Sequence, residues 1–275
     1  MNGHEQLVSA YLGAHAENAA RLMESLPAEQ ASAVLSSVDP ATAAPVLGHM
    51  LPTYAARCIE RQPPTDSAIL LEKLGSQEAV AVLRHLDHER RHDVLEALGS
   101  QWLVAFKLLL SYPVNAVGAW VEPRVLTLPD DCSAGEARER VARSDLVAQA
   151  RVYVLDRSRR VRGAVRGLTL LQIHSRKKLA SILEPAPTLW AREPLAAAIE
   201  KTVWERDTEA PVINREEEFI GAITYADLRR AHRQLTHGGN THGSRDLAEV
   251  SELIAIGAGS LWQSLDELVR PDRRR

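Results

Sequence analysis

The sequence predicts a multidomain α plus α/β protein: a right-handed α-solenoid of short helices, followed by two copies of a strand–helix–strand–strand–helix unit. Three observations predict it. Apolar pairs recur every twelve residues through the first 110 positions, the texture changes at Trp120, and from there one order of elements appears twice, about sixty residues apart.

The twelve-residue spacing is carried by Val34-Leu35, Val46-Leu47, Cys58-Ile59, Leu70-Leu71, Val82-Leu83 and Val94-Leu95. A second register runs through Leu26, Val38, Met50, Leu74, Leu86, Leu98 and Leu110, broken at Gln62. Small residues keep the same spacing at Ala31, Ala43, Ala55, Ser67 and Ala79. Helix breakers punctuate each unit at Pro27, Asp39-Pro40, Pro52, Pro63-Pro64, Gly75, Asp87 and Gly99. Within a unit the apolar positions fall three and four apart, which makes a helical stripe. Twelve residues hold a helix of roughly two and a half turns and a tight turn. Such a helix is marginal alone and must bury its stripe against neighbours, so stacking is the expected solution.

In the second half, Val125 to Leu128 reads as a strand, Ala134 to Ala142 as a helix, and Val152 to Leu155 and Val161 to Val165 as strands before a helix from Leu168. The order returns with Leu195 to Val203 helical, strands at Pro211 to Asn214 and Phe219 to Thr224, and a closing helix from Asp227 to Gln234. Glu122-Pro123 is echoed by Glu184-Pro185. The expected divisions are a helical arm at 1–117, a first repeat at 118–183, a second at 184–235, and a linker with an amphipathic helix at 236–275.

Composition bounds the function. The net charge is -3, with 45% hydrophobic and 25% charged residues, an ordinary globular balance that gives no reason to expect nucleic acid. The charge is unevenly placed, with 13 acids and 8 bases in 1–117 against 17 acids and 20 bases in 118–235, so the arm is net acidic. Cys58 and Cys132 fall in different expected domains, so a reducing, cytoplasmic setting is the simpler reading. The start Met1-Asn2-Gly3-His4-Glu5 does not read as a signal peptide, and no apolar run approaches the ~20 residues that span a bilayer. No Ser/His/Asp or Cys/His arrangement, phosphate-cradling glycine loop or zinc-spaced cysteines are present, so the chain reads as a non-enzyme. His85, His88 and His92 have helical spacing, but Asp87 falls on a breaker position. Surface histidines about a turn are therefore expected, and no metal site.

The paired unit resembles a tandem CBS module, and Gly221-Ala222-Ile223-Thr224-Tyr225-Ala226-Asp227-Leu228 is similar to that family's closing motif. The resemblance implies an adenine nucleotide (ATP, ADP or AMP) in a cleft formed by Thr224, Asp227, Pro211, Val212 and Ile213. The threonine hydroxyl and helix start meet phosphate, and the aspartate accepts hydrogen bonds from ribose. The competing reading of Thr224 and Asp227 is helix capping alone. The first repeat departs from the motif, with Arg166 in the hydroxyl position and Thr169 in the aspartate position.

A helical arm joined to a CBS pair resembles the cytosolic half of MgtE-type magnesium transporters, and Tyr112-Pro113-Val114-Asn115-Ala116-Val117-Gly118 is similar to that family's joint. This implies a homodimer through the CBS pair, a membrane transport subunit as partner, and Mg2+ held by carboxylates between domains. The acids for such a lock are thin: only Glu78 opens its helix, Asn115 stands for an aspartate, and Arg229 and Arg230 follow Asp227. After the second repeat a Gly/His-rich linker and an amphipathic helix over about 246–269 are expected where the family has its membrane domain. A basic run from Arg151 through Arg157, Arg159, Arg160, Arg162 and Arg166 to Lys178 has three readings: a solvated face, a dock on the acidic arm, or a surface for anionic lipid or phosphate. The functional expectation is a regulatory protein that senses a nucleotide or cation and acts on a partner. The alternative is a scaffold that binds protein without a small ligand.

Overall fold

A computed structural model describes residues 3–144 and 151–237. The amphipathic helix expected at 246–269 and most of the Gly/His linker lie outside the described residues.

The arm is built of α1 (Gly3–Ala14), α2 (Ala16–Met23), α3 (Ala28–Ser37), α4 (Pro40–His49), α5 (Pro52–Ile59), α6 (Pro64–Lys73), α7 (Ser76–His85), α8 (His88–Glu96) and α9 (Ser100–Leu110). From α2 onward each helix begins twelve residues after the last. Local chemistry sets these starts. Pro40, Pro52 and Pro64 occupy the first helical turn, where a preset φ costs nothing and the missing N–H is not needed. The Asp39 carboxylate accepts the Ala41 N–H at 2.8 Å, and Asp87 accepts that of Arg90 at 2.7 Å. Each helix packs on the one two places along: α2 on α4, α4 on α6 and α6 on α8 in one row, α3 on α5, α5 on α7 and α7 on α9 in the other. Ala31, Ala43, Ala55, Ser67 and Ala79 are fully buried and let the rows approach. As expected, His85 ends one helix and His88 begins the next.

Two small sheets follow. β1 (Thr127–Pro129) pairs parallel with β2 (Arg151–Leu155), which pairs antiparallel with β3 (Val161–Arg166). α10 (Ala134–Arg143) and α11 (Gly167–Gln172) flank this first repeat. In the second, β4 (Leu189–Trp190) pairs with β5 (Glu209–Ile213), which pairs with β6 (Phe219–Thr224), with α12 (Leu195–Ile199) and α13 (Tyr225–His237) beside them. The strand expected at Val125 forms only from Thr127, and the helix expected to Val203 stops at Ile199 and resumes as a 3-10 turn over Thr202–Glu205.

The repeats match in detail. A register shift falls at Val154/Leu155 in one and at Val212/Ile213 in the other. The hairpins turn on Arg159 and Glu217, at φ 58° and 64°. The last strands carry Gly163 and Gly221, at φ +156° and +154°. The glycines are required because the repeats interlock: Glu184 bridges to Ala164, and Glu122 to Ala222. A Cβ on Gly163 would lie 2.7 Å from the Glu184 carbonyl oxygen, and one on Gly221 would lie 2.5 Å from that of Glu122. The Glu-Pro echo in the sequence marks these two crossing segments.

The joint folds onto the second repeat. Val117 N–H donates to the Glu193 carbonyl, Gly118 to Ala191, and Leu195 to Asn115. The Tyr112 ring lies against Gly118, where a Cβ would come within 2.7 Å of it. One hydrophobic cluster therefore runs from Leu12 in the arm to Leu228 and Ala231 in the second repeat, while the first repeat has a cluster of its own around Leu128, Val154 and Leu179.

Candidate functional site

The final turn of β6 and the start of α13 bring the motif residues together. Thr224 stands immediately before the helix. Its hydroxyl oxygen accepts the Asp227 N–H at 3.0 Å and its O–H donates to Asp227 Oδ2 at 2.6 Å. Asp227 Oδ1 accepts from Arg230 at 2.7 Å, a half-exposed pair whose strength solvent limits. These bonds are those of a capping pair, and they hold a hydroxyl and a carboxylate at a helix N-terminus with one face toward solvent. Tyr225 donates its N–H to the Thr208 carbonyl, and its ring lies 5.2 Å from that of Trp204. Pro211, Val212 and Ile213 lie in β5, buried, with Pro211 opposite Ala222 and Val212 opposite Gly221. The structure thus gathers Thr224 and Asp227 into one cluster and places the β5 residues in the adjoining strand as backbone and core.

The corresponding place in the first repeat is filled by the protein's own charges. Arg166 donates to Glu184 at 3.1 Å. Arg151, nearly buried at the start of β2, is hydrogen-bonded to Asp207 and donates to the Pro185 carbonyl at 2.7 Å. Beside it, Tyr153 donates its O–H to Glu209 at 2.6 Å in a buried bond between the repeats. Burial pushes the Glu209 carboxyl above its usual range, against the lowering influence of the Tyr153 bond and Arg151.

Among the described residues the ion pairs of the basic run stay within the paired repeats. Arg157 pairs with Asp131, Arg160 with Glu217, and Arg151 and Arg166 with Asp207 and Glu184. The Arg159 guanidinium donates to the Phe219 carbonyl. Arg162, Arg176 and Lys177 are exposed.

Contact between arm and repeats centres on Glu122, which the sequence singled out only as half of the Glu-Pro echo. Its carboxylate accepts from the Ser76 hydroxyl at 3.2 Å and from the Arg124 N–H at 2.8 Å. Its backbone exchanges two hydrogen bonds with Ala222 on β6, two residues before Thr224. Beside it Gln77 donates to the Val121 carbonyl at 2.8 Å, and the Arg124 guanidinium lies 4.0 Å from the Trp102 ring centroid. The opening of α7 thus meets, through the neutral side chains of Ser76 and Gln77, the segment at Val121 and Glu122 that crosses to the second repeat. Among the described residues no group of three or more histidines, cysteines or acids is arranged to hold a metal ion, and no helix is long and apolar enough to cross a membrane.

Residues 14–115 match the family model of the MgtE intracellular N domain. No curated protein matches the sequence. Among solved structures, the cytosolic domain of the Mg2+ channel MgtE in complex with ATP is 20% identical and has a TM-score of 0.67, covering 78% of this chain and 90% of that one. The soluble part of a magnesium transporter is 16% identical with a TM-score of 0.58, covering 84% and 98%. Residues 14–115 thus match the MgtE intracellular N domain, and over 78% of its length the chain shares the fold of the MgtE cytosolic domain, a helical arm followed by two small mixed sheets.

Proposed function

We propose that this chain is a non-catalytic regulatory module that reads an adenine nucleotide at Thr224 and Asp227 and passes its occupancy to the arm. The observation that carries this reading is the placement of Glu122. One residue joins the β6 backbone, two positions before Thr224, to the first turn of α7. A ribose hydroxyl donating to Asp227 competes with Thr224 and Arg230 for its oxygens, so binding rearranges the end of β6 and the start of α13. Ala222, on the same face of β6 as Thr224, carries that change to Glu122 and Ser76. A similar fold solved with ATP supports the choice of ligand. The module acts on a protein partner, a membrane transport subunit being the kind this fold serves, and it pairs with a second copy through its CBS repeats.

Thermal shift with ATP, ADP and AMP, each with and without millimolar Mg2+, tests the reading. A nucleotide present at ~100 times its Kd stabilises by about 2.7 kcal/mol. That gain disappears in Asp227→Ala and is reduced in Asp227→Asn, which keeps an acceptor for Thr224. Stabilisation by Mg2+ alone, unchanged in both variants, would move the sensed ligand to a cation.

One observation favours the scaffold reading as second. Large apolar side chains stand exposed on the arm, with Leu51 at 60%, Ile69 at 46% and Val104 at 68%, as on a surface that receives protein. Partner binding that is indifferent to every nucleotide would select it.

A further inference from the structure

A cavity of about 730 Å³ opens where the end of the arm meets the second repeat, away from Thr224 and Asp227. It is lined by Tyr112 from the arm, by Trp190, Arg192 and Glu193 after β4, and by Asn214 and Arg215 from the β5–β6 turn. The volume is that of a site for a small organic ligand.

Its chemistry is specific. Tyr112 is nine-tenths buried with its ring against Gly118, while its hydroxyl makes no hydrogen bond among the described residues and is not sealed from solvent, so it is open to a ligand. Among the described residues neither Arg192 nor Arg215, both exposed, has a carboxylate within ion-pair distance, although Arg151, Arg157, Arg160, Arg166 and Arg230 all do. Arg192 lies 6.0 Å from the Tyr112 ring centroid, so its charge stands over the same space. The negative charge of Glu193 is met by Lys201 at 2.8 Å. Glu216 offsets one of the two guanidiniums, so with Lys201 counted against Glu193 the surroundings of the cavity carry one net positive charge. Trp190, 45% exposed despite its size, is part of the lining.

We propose that this cavity is a binding site for a compact aromatic anion, a single ring bearing a phosphate. The two guanidiniums and the Tyr112 hydroxyl take the phosphate oxygens, and the ring stacks on Trp190. The ligand staples the arm to the second repeat, because Tyr112 belongs to the arm side and is fixed there by Arg84, which donates to the Tyr112 and Leu109 carbonyls. The site does not rest on the nucleotide reading of Thr224 and Asp227.

Calorimetry on the full chain with phenyl phosphate tests it, with inorganic phosphate and benzyl alcohol as controls. Phenyl phosphate binds the wild type more tightly than either control. Affinity falls at least roughly tenfold in the Arg192→Ala/Arg215→Ala double variant. It falls several-fold in Tyr112→Phe, which keeps the ring packed on Gly118, and in Trp190→Ala, and it is unchanged in Asp227→Ala. No binding, equal binding in the double variant, or inorganic phosphate binding as tightly as phenyl phosphate would overturn the proposal. So would binding lost in Asp227→Ala, which would put the probe in the CBS cleft. An AMP-induced thermal shift in the double variant stays as in the wild type, which separates the two sites.

Discussion

Gly221 is the residue on which the interlock of the repeats turns. Its positive φ and the Glu122 carbonyl 2.5 Å from any added Cβ leave room for glycine alone. Gly221→Ala is expected to lower stability by about 1–3 kcal/mol in urea unfolding and to loosen the arm. Glu209 offers a pH signature. Its carboxyl is raised in the folded protein, chiefly by burial, so the folded state binds its proton more tightly than the unfolded state. Stability therefore rises as pH falls from neutral through the folded pKa and levels off below the ordinary carboxylate value, the reverse of an ion-paired acid. Glu209→Gln keeps an acceptor for the Tyr153 hydroxyl and should flatten that part of the stability–pH curve. Such residues were poorly legible in the sequence. Arg151 looked like one more member of an exposed basic run, because a string of arginines does not reveal that one of them turns inward to Asp207 and the Pro185 carbonyl. Thr224 and Asp227 were legible as a motif, but the same residues serve as a helix cap, and the sequence alone supported both uses.

At the scale of the element, the twelve-residue spacing was legible almost to the residue, because prolines and capping aspartates fix helix starts locally. The strands were less so. β1 and β4 are three and two residues long, and each exists only because a partner strand lies beside it. Gln62, which breaks the apolar register, is buried at the end of α5. There Arg90 from α8 reaches across to the Ile59 carbonyl at 2.9 Å, to the Gln62 carbonyl and to Ser67. That arginine supplies a donor to the Gln62 carbonyl and adds one to the Ile59 carbonyl, which also accepts from the Gln62 N–H and the Ser67 hydroxyl. Arg90→Met should cost about 1–3 kcal/mol in chemical denaturation, whereas Arg21→Met, which loses only an exposed pair with Glu17, should cost at most a few tenths. Cys58 is fully buried, and burial pushes its thiol up to about 12. A maleimide is therefore expected to leave Cys58 unmodified in the native protein and to label it in urea.

At the scale of the whole molecule, the arm and the second repeat share one hydrophobic cluster, the first repeat has one of its own, and a smaller third cluster of Tyr153, Ala164, Phe219 and Ala222 joins the two repeats. This division was not legible in the sequence, which suggested an arm set against a self-contained pair. The physical reason is the joint: residues 115–118 add backbone hydrogen bonds to the edge of the second sheet, and the Glu122 segment crosses to β6. A signal at β6 therefore has a short, hydrogen-bonded route to α7. The measurement that tests this most directly is hydrogen exchange on the full chain with and without saturating AMP, in the wild type and in Asp227→Asn. The account predicts altered protection at 76–81 and 121–124 as well as at 222–230 in the wild type, all of it reduced in the variant. Changes confined to 222–230 would contradict transmission to the arm, and no change anywhere would contradict the nucleotide site itself.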